Sequence, residues 1–154
     1  MKQTAKPPGG QSRAAETVIA PRRVFTRILA LTDFSPSSQA AVEYAAQLAR
    51  SMHARLTLLH VLPPQSSFDY TMGLEAAGKL AEETTSLKAN YEEVDSTFRT
   101  GLDLHDEIIS VAREIAADLL VVSTHGDTGW ENFLFGSDAA KIVRDAPCPI
   151  LVVR

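Results

Sequence analysis

The stretch Asp118–Arg154, DLLVVSTHGDTGWENFLFGSDAAKIVRDAPCPILVVR, decides the fold of this 154-residue chain. It opens on the apolar run LLVV, which is typical of a buried strand. A loop with glycines at 126, 129 and 136 follows, and Ser137 then stands at the predicted start of a helix. A strand, a glycine loop and a helix N-terminus in this order present backbone N–H groups to an anion such as a phosphate. A second apolar strand, ILVV, ends the stretch.

Predicted strands and helices alternate along the chain, which is the pattern of an α/β domain with a parallel sheet. The first strand, RILALT at 27–32, is apolar without alternation, so both of its faces should be covered. Ser35 is placed to cap the next helix, with Pro36 in its first turn, and this helix should run to about His53. The further strands are predicted at 55–62, 94–100, 118–124 and 148–153, and the further helices at 71–91, from Asp103 to 115, and at 137–145.

Three of these elements carry a predicted orientation. The strand at 94–100 is polar enough to lie at an edge of the sheet. The helix over 71–91 should turn its acidic residues to solvent. The helix capped by Asp103 should bury Ile108, Val111, Ala112 and Ile115, which recur at helical spacing.

Composition places the chain among globular proteins with one domain. Apolar residues make up 45% and charged residues 22% of the sequence. No segment approaches the roughly 18 consecutive apolar residues of a membrane span. Cys148 is the single cysteine, which excludes an internal disulfide and fits a reducing, cytoplasmic compartment. Between Pro147 and Pro149, this cysteine is expected to be structural rather than reactive.

The net charge of −4 hides an asymmetry between the N-terminus and the rest. Residues 1–27 carry six of the fifteen basic residues and one of the nineteen acidic ones. With prolines and glycines at 7–10 and no apolar periodicity, residues 1–23 are expected to form a disordered basic tail. Contact of the tail with nucleic acid is an alternative to a solvated extension. The acidic body argues against general nucleic-acid binding, which depends on Lys and Arg at phosphates.

Four segments together resemble the universal stress protein family. They are RILALTDFSPSSQAAVEYAAQLA from Arg27, LTLLHV from Leu56, DLLVVSTHG from Asp118 and GSDAAKIVRDAPCPILVV from Gly136. They cover nearly all of residues 24–154, in the family's order and at its spacing. The resemblance implies an adenine nucleotide alpha hydrolase-like fold. That fold is an open five-stranded parallel sheet of order 3-2-1-4-5, with helices on both faces, usually as a homodimer.

The family's ATP-binding members share a pattern of Gly-x-x-Gly, nine residues, and Gly-Ser/Thr. Its positions fall here on Ser123, Gly126, Gly136 and Ser137, so the long spacing is kept and the first glycine is replaced by Ser123. The resemblance implies that Asp33 and Val61 hold the ribose and adenine, and that the glycines and Ser137 receive the phosphates. The complete nucleotide site it implies is Leu31, Thr32, Asp33, Val61, Val122, Ser123, Gly126, Gly136 and Ser137.

Two further positions depart from the family in a way that opposes phosphate. Asp127 stands where the family often has Arg or Lys, and Asp138 stands where it commonly has an apolar residue. Carboxylates beside a triphosphate repel it unless a divalent cation such as Mg²⁺ bridges them. Asp138 at a helix N-terminus also competes with phosphate for the helix dipole. We therefore expect weak ATP binding, and no cofactor required for folding.

Asp33 and the histidines leave alternatives open. Asp33 is suited either to a ribose or amine ligand, or to capping the next helix together with Ser35. His60 and His125 are expected to be structural, and His53 lies at a helix end. His105 lies among acidic residues, where a capping turn is the alternative to a metal site. The loop aromatics Trp130 and Phe133 are expected to anchor the loop, with a lid or a partner contact as alternatives.

The sequence as a whole predicts a cytoplasmic, homodimeric stress-response regulator that binds ATP or another adenine nucleotide weakly. The fifth strand, 148–153, is apolar at a sheet edge, and pairing with its own copy would protect it. The alternatives are a nucleotide-independent interaction module, a slow ATP hydrolase using Asp33, Asp127 or His125, and a carrier of a ligand without phosphate. A binding protein is favoured over an enzyme, because no catalytic arrangement is recognisable.

Overall fold

The computed structural model of the chain describes residues 24–62, 70–123 and 137–154, which contain five strands and four helices. The strands are β1 (Arg27–Leu31), β2 (Arg55–Leu62), β3 (Val94–Thr100), β4 (Leu119–Ser123) and β5 (Ile150–Val153). The helices are α1 (Pro36–Met52), α2 (Tyr70–Lys88), α3 (Leu104–Glu114) and α4 (Ser137–Asp145).

The strands form one parallel sheet in the order β3-β2-β1-β4-β5, which confirms the predicted fold. The central strand β1 pairs with β2 on one side and β4 on the other, so that Ile28 lies opposite both Leu56 and Leu119. Residues 28–31 are at most 3% exposed. Their burial follows from an apolar sequence without alternation, because helices cover both faces of such a strand.

The two faces of the sheet carry different helices. Ile28 and Ala30 pack in a cluster with α1 and with Leu80 of α2. Leu29 and Leu31 pack with α3 and with Ile142 of α4. The alternation along β1 therefore divides the core into two layers. The helices of two consecutive crossover connections cover each layer.

The ends of α1 have the predicted caps. Ser35 accepts a hydrogen bond from the backbone N–H of Ser38 at 3.2 Å, and Pro36 follows in the first turn. At the other end His53 adopts a left-handed conformation, with φ of 53°, and its N–H bonds to carbonyls of the last turn. On the opposite face Asp103 caps α3 by accepting the backbone N–H of His105 at 2.9 Å. Ile108, Val111 and Ala112 are buried as predicted, and Ile115 is partly exposed.

Several element boundaries differ from prediction by one to three residues. At the N-terminal end of the sheet, β4 starts at Leu119, and Asp118 just before it accepts the N–H groups of Thr26 and Arg27 with its carboxylate at 2.7 and 2.9 Å. At the other end β1 stops at Leu31, although the N–H of Thr32 still bonds to the Leu59 carbonyl. Helix α2 stops at Lys88, and β5 starts at Ile150, after a proline that has no N–H to donate.

Some predictions fall on residues outside the described ranges. They are the disordered tail at 1–23, the strand stop at Pro63 and Pro64, and the loop residues His125, Gly126, Asp127, Trp130, Phe133 and Gly136.

Candidate functional site

The candidate site lies at the carboxyl end of the sheet, where the chain leaves β1 toward one face and β4 toward the other. In open parallel sheets, ligands bind at such a point, because the diverging connections leave a crevice. Three of the predicted residues, Leu31, Val61 and Val122, stand at the ends of three adjacent strands and are only 2–3% exposed. They provide an apolar floor at the crevice.

Asp33 is the second residue after β1, following Thr32, and is 7% exposed. Its Oδ1 accepts the N–H of Ser35 at 3.0 Å and the Ser35 hydroxyl at 2.6 Å. Because Ser35 in turn caps α1, the carboxylate is fixed to the start of that helix. Of the two alternatives for Asp33, the structure shows the contact with Ser35 at the start of α1, and this contact orients the carboxylate beyond the end of the central strand.

Thr32 organises the backbone around Asp33. Its side chain is buried, and its hydroxyl lies 3.1 Å from Oε2 of Glu83 and accepts the N–H of Phe34 at 3.2 Å. Phe34 adopts a left-handed conformation with φ of 66°, which costs a residue other than glycine about 1–3 kcal/mol. The strained turn holds Asp33 in place, and the Thr32 hydroxyl is one of the groups that stabilise the turn.

Glu83 is the site residue that the sequence prediction missed. The acidic residues of α2 were expected on a solvated face, but Glu83 is partly buried and contacts Thr32. Burial raises the pKa of the Glu83 carboxyl, the bond from Thr32 lowers it, and the charge of Asp33 raises it, for a net rise. A sequence signal existed, since Glu83 lies three residues after buried Leu80 and four before Leu87, on the inward stripe of the helix.

His60 lies beneath this turn and is structural, as predicted. Its Nδ1 donates a hydrogen bond to the Thr32 carbonyl at 2.8 Å. The ring stacks between Phe34 and Phe98, with centroid distances of 4.4 and 5.8 Å. Burial lowers the pKa of His60, against the opposing effects of the Thr32 carbonyl and Asp33. A neutral imidazole therefore connects the turn to β3.

The phosphate side of the predicted site is described in part. Ser123 ends β4, is partly exposed and lies opposite Val153 of β5. Ser137 begins α4, as predicted. Gly126 and Gly136, together with the side chains of Ser137 and Asp138, lie outside the described residues.

The acidic cluster around His105 lies elsewhere and forms a capping turn. One ring nitrogen of His105 is 2.9 Å from Asp106, and the other is 3.0 Å from Asp145 of α4. The potential ligand atoms of Asp103, His105 and Asp106 lie close together. Because both imidazole nitrogens already face carboxylates, the contacts favour a link between α3 and α4 over a metal site.

A search of the described helices finds none that is long and apolar enough to cross a membrane.

Comparison with known proteins gives a consistent result. The sequence profile of the universal stress protein family matches residues 25–154. The chain is 32% identical over 142 residues to universal stress protein A homolog 1 of Coxiella burnetii, covering 84% of this chain and 96% of that protein. It is 30% identical over 145 residues to a universal stress protein of Methanocaldococcus jannaschii, covering 85% and 83% of the two chains. A universal stress protein solved in complex with cAMP matches the structure with a TM-score of 0.68 and 26% identity, over 85% of this chain and 98% of that one.

Proposed function

The chain belongs to the universal stress protein family, and from that premise we propose that it binds an adenine nucleotide at the carboxyl end of its sheet. The observation that carries the proposal is the buried Asp33, fixed by Ser35 at the end of the central strand and beside the apolar ends of β2 and β4. The relative solved with cAMP, which shares the fold over nearly its whole length, supports this choice of ligand class.

Each part of the nucleotide is assigned to a different part of the crevice. Asp33 accepts hydrogen bonds from the ribose hydroxyls, because a carboxylate held in a fixed orientation at the end of the central strand is a strong acceptor. The adenine lies at Val61, on the apolar floor that Leu31 and Val122 complete. The phosphates approach the N-terminus of α4, because the backbone N–H groups and the dipole at the start of a helix favour negative charge. The assigned site is Leu31, Thr32, Asp33, Val61, Val122, Ser123, Gly126, Gly136 and Ser137.

ATP is the larger candidate ligand, and we propose that it binds weakly. Asp127 and Asp138 oppose a triphosphate, and Mg²⁺ would relieve the repulsion by bridging carboxylate and phosphate oxygens. Binding is favoured over hydrolysis. Of the three groups considered as a base, Asp33 lies within the described residues, and its Oδ1 already accepts the Ser35 hydroxyl at 2.6 Å.

We further propose that the protein is a cytoplasmic homodimer that acts as a stress-response regulator. Within the described residues β5 lies at the edge of the sheet, and Val152 on this strand is 42% exposed. An apolar edge strand is a template for pairing with another chain, and a two-fold axis through it would close that edge. The predicted interface is the segment 148–153.

The proposal is tested on the purified full chain. Mass spectrometry of the small molecules released on denaturation should identify a co-purified adenine nucleotide, and calorimetry with AMP, cAMP and ATP should give the affinities. Asp33→Asn keeps an oxygen for Ser35 but removes the charge, and it should weaken binding by about tenfold. Asp95→Asn, an exposed substitution on β3, should leave binding unchanged. Absence of binding by all three nucleotides, or an Asp33→Asn variant of unaltered affinity, would contradict the proposal.

A further inference from the structure

Glu83 connects the second crossover helix to the proposed ligand site. It is carried by α2, which packs on the same face of the sheet as α1, and its Oε2 lies 3.1 Å from the Thr32 hydroxyl. Thr32 is 1% exposed and precedes Asp33, the proposed ribose ligand. A carboxyl from a separate element is therefore directed at the turn that presents Asp33, and nothing in the fold of α2 itself requires it there.

The surroundings of Glu83 are more acidic than basic. A cavity of about 510 Å³ between α1 and α2 is lined by Glu83 and Phe34 and by other side chains of both helices. Among the described residues, the charge of Asp33 acts on Glu83, and Glu43 of α1 and Lys79 and Glu82 of α2 line the same cavity. His60 of β2 contacts the carbonyl of Thr32 in the turn.

Among the residues that the structure describes, Glu83 is in no ion pair, and the nearby charged groups are engaged elsewhere. Lys79 pairs with the exposed Glu75 one turn earlier, at 2.7 Å. On β3, the nearest strand beyond β2, Asp95 and Arg99 form ion pairs with other residues. The pKa of Glu83 is accordingly raised by burial and by Asp33, which places its titration above its ordinary value of 4.5.

We propose that Glu83 is a specificity-determining residue of the nucleotide site. Its carboxyl, held by Thr32 beside Asp33, couples the binding of an anionic ligand to the uptake of a proton. The inference rests on the proposed function, because it concerns the same site. It assigns to α2 a role in choosing between charged and uncharged adenine ligands. Asp33 remains the ribose contact, and Glu83 acts through the charge and the hydrogen bonding of the turn.

The physical reason is that the bound anion and the ionised Glu83 carboxylate repel each other. An anion bound near Asp33 disfavours ionised Glu83, so the carboxyl holds its proton more firmly in the complex than in the free protein. The complex then carries more protons than the free protein, and affinity falls as pH rises through the titration of Glu83, above 4.5. For two charges about 8–10 Å apart at an effective dielectric near 40, the effect on affinity is roughly fivefold.

The test uses cAMP, whose phosphodiester keeps a constant charge between about pH 5 and pH 8, and adenosine as the uncharged match. Calorimetry on the full chain should show that cAMP binds more tightly at the low end of this range than at the high end, by up to about tenfold. Measurements in buffers of different ionisation enthalpy should show proton uptake on cAMP binding to the wild-type protein. Adenosine should show less of both effects.

Glu83→Gln separates this role from a structural one. Glutamine keeps the contact with Thr32 but cannot ionise, so the variant should bind cAMP about three- to tenfold more tightly than wild type near pH 8, with a flatter pH profile. Glu82→Gln makes the same charge change on the exposed neighbour, which has no contact with Thr32, and should alter the profile much less than Glu83→Gln. Any pH dependence that comes from His60 is present in wild type and in both variants, so a comparison of their pH profiles removes it.

The possible results separate the two proposals. If wild type binds cAMP without proton uptake, or Glu83→Gln keeps the wild-type profile, the role of Glu83 is overturned while nucleotide binding stands. If neither cAMP nor adenosine binds, the proposed function fails, and the role of Glu83 fails with it. Equal effects from Glu82→Gln and Glu83→Gln would reduce the coupling to general surface charge and would also overturn the inference.

Discussion

Replacing Asp118 by alanine should destabilise the fold without touching the ligand site. The Asp118 carboxylate accepts three hydrogen bonds at the amino end of the sheet, from the N–H and hydroxyl of Thr26 at 2.7 Å and from the N–H of Arg27 at 2.9 Å. It thereby joins the start of β1 to the start of β4. Each such bond contributes about 0.5–1.5 kcal/mol, and partial exposure reduces the sum to roughly 1–2 kcal/mol.

The expected change is large enough to measure. For a chain of this length, a loss of 1–2 kcal/mol lowers the melting temperature by about 3–8 °C. Urea unfolding followed by circular dichroism should give the corresponding fall in midpoint with an unchanged slope. Asp95→Ala, which removes an exposed carboxylate with ion pairs at 3.9 Å, should change the free energy of unfolding by less than about 0.5 kcal/mol.

The contribution of Asp118 to the free energy of unfolding should change with pH in a defined direction. Burial pushes the pKa of the Asp118 carboxyl up, but the bonds from Thr26 and Arg27 outweigh it, so the pKa lies below its ordinary value of 3.8. The stability that Asp118 contributes is therefore complete above 3.8 and is lost as pH falls through the lower, folded-state value. The gap between wild type and Asp118→Ala should close in acid. A variant as stable as wild type at neutral pH, or a gap that persists in acid, would refute the reasoning.

Three further outcomes are expected. Val152→Lys should convert a dimer to a monomer in sedimentation at micromolar concentration, and an unaltered dimer would move the interface away from β5. Deletion of residues 1–22 should leave the melting temperature nearly unchanged, because a tail rich in proline and glycine buries too little surface to offset its ordering entropy; a large fall would mean that the tail packs on the domain. Asp138→Val and, separately, Asp127→Arg should each tighten ATP binding by about tenfold in calorimetry, and adenosine by less. Unchanged ATP affinity in both would direct attention to Ser123 or to the loop conformation.

The fold followed from local features of the sequence. The apolar run at 28–31 has no alternation, which requires cover on both faces and places β1 at the centre. Ser35 and Pro36 fix the start of α1, because their preferences act within one turn. Strand boundaries were less predictable where a side chain next to the boundary contacts another strand. Asp118 looked like a strand residue, and its role became visible only once β1 and β4 were adjacent.

Site residues could be predicted from the sequence where each one stands near the end of its own strand. They could not be predicted where a contact depends on how two elements pack together. Asp33, Val61 and Val122 were placed correctly at strand ends, since parallel strands end at the same edge of the sheet. The contact between Glu83 and Thr32 depends on how α2 is rotated on the sheet, fifty-one residues away in the chain. An acidic residue on a surface helix is ordinarily solvated, so only its spacing from Leu80 and Leu87 hinted at an inward orientation.

The stacked rings beneath the site help to determine its net charge. His60 donates to the Thr32 carbonyl and is packed between Phe34 and Phe98, where burial lowers its pKa and favours the neutral ring. A neutral His60 supports the turn without adding a cation beneath the ligand. The net charge of the described part of the site then depends on two carboxyls. Asp33 lies in the turn after β1, and Glu83 of α2 contacts that turn through Thr32. Because the proposed function uses Asp33 for the ribose, Glu83 is the group whose protonation can change without loss of that contact. We therefore expect the pH dependence of ligand binding to arise at Glu83.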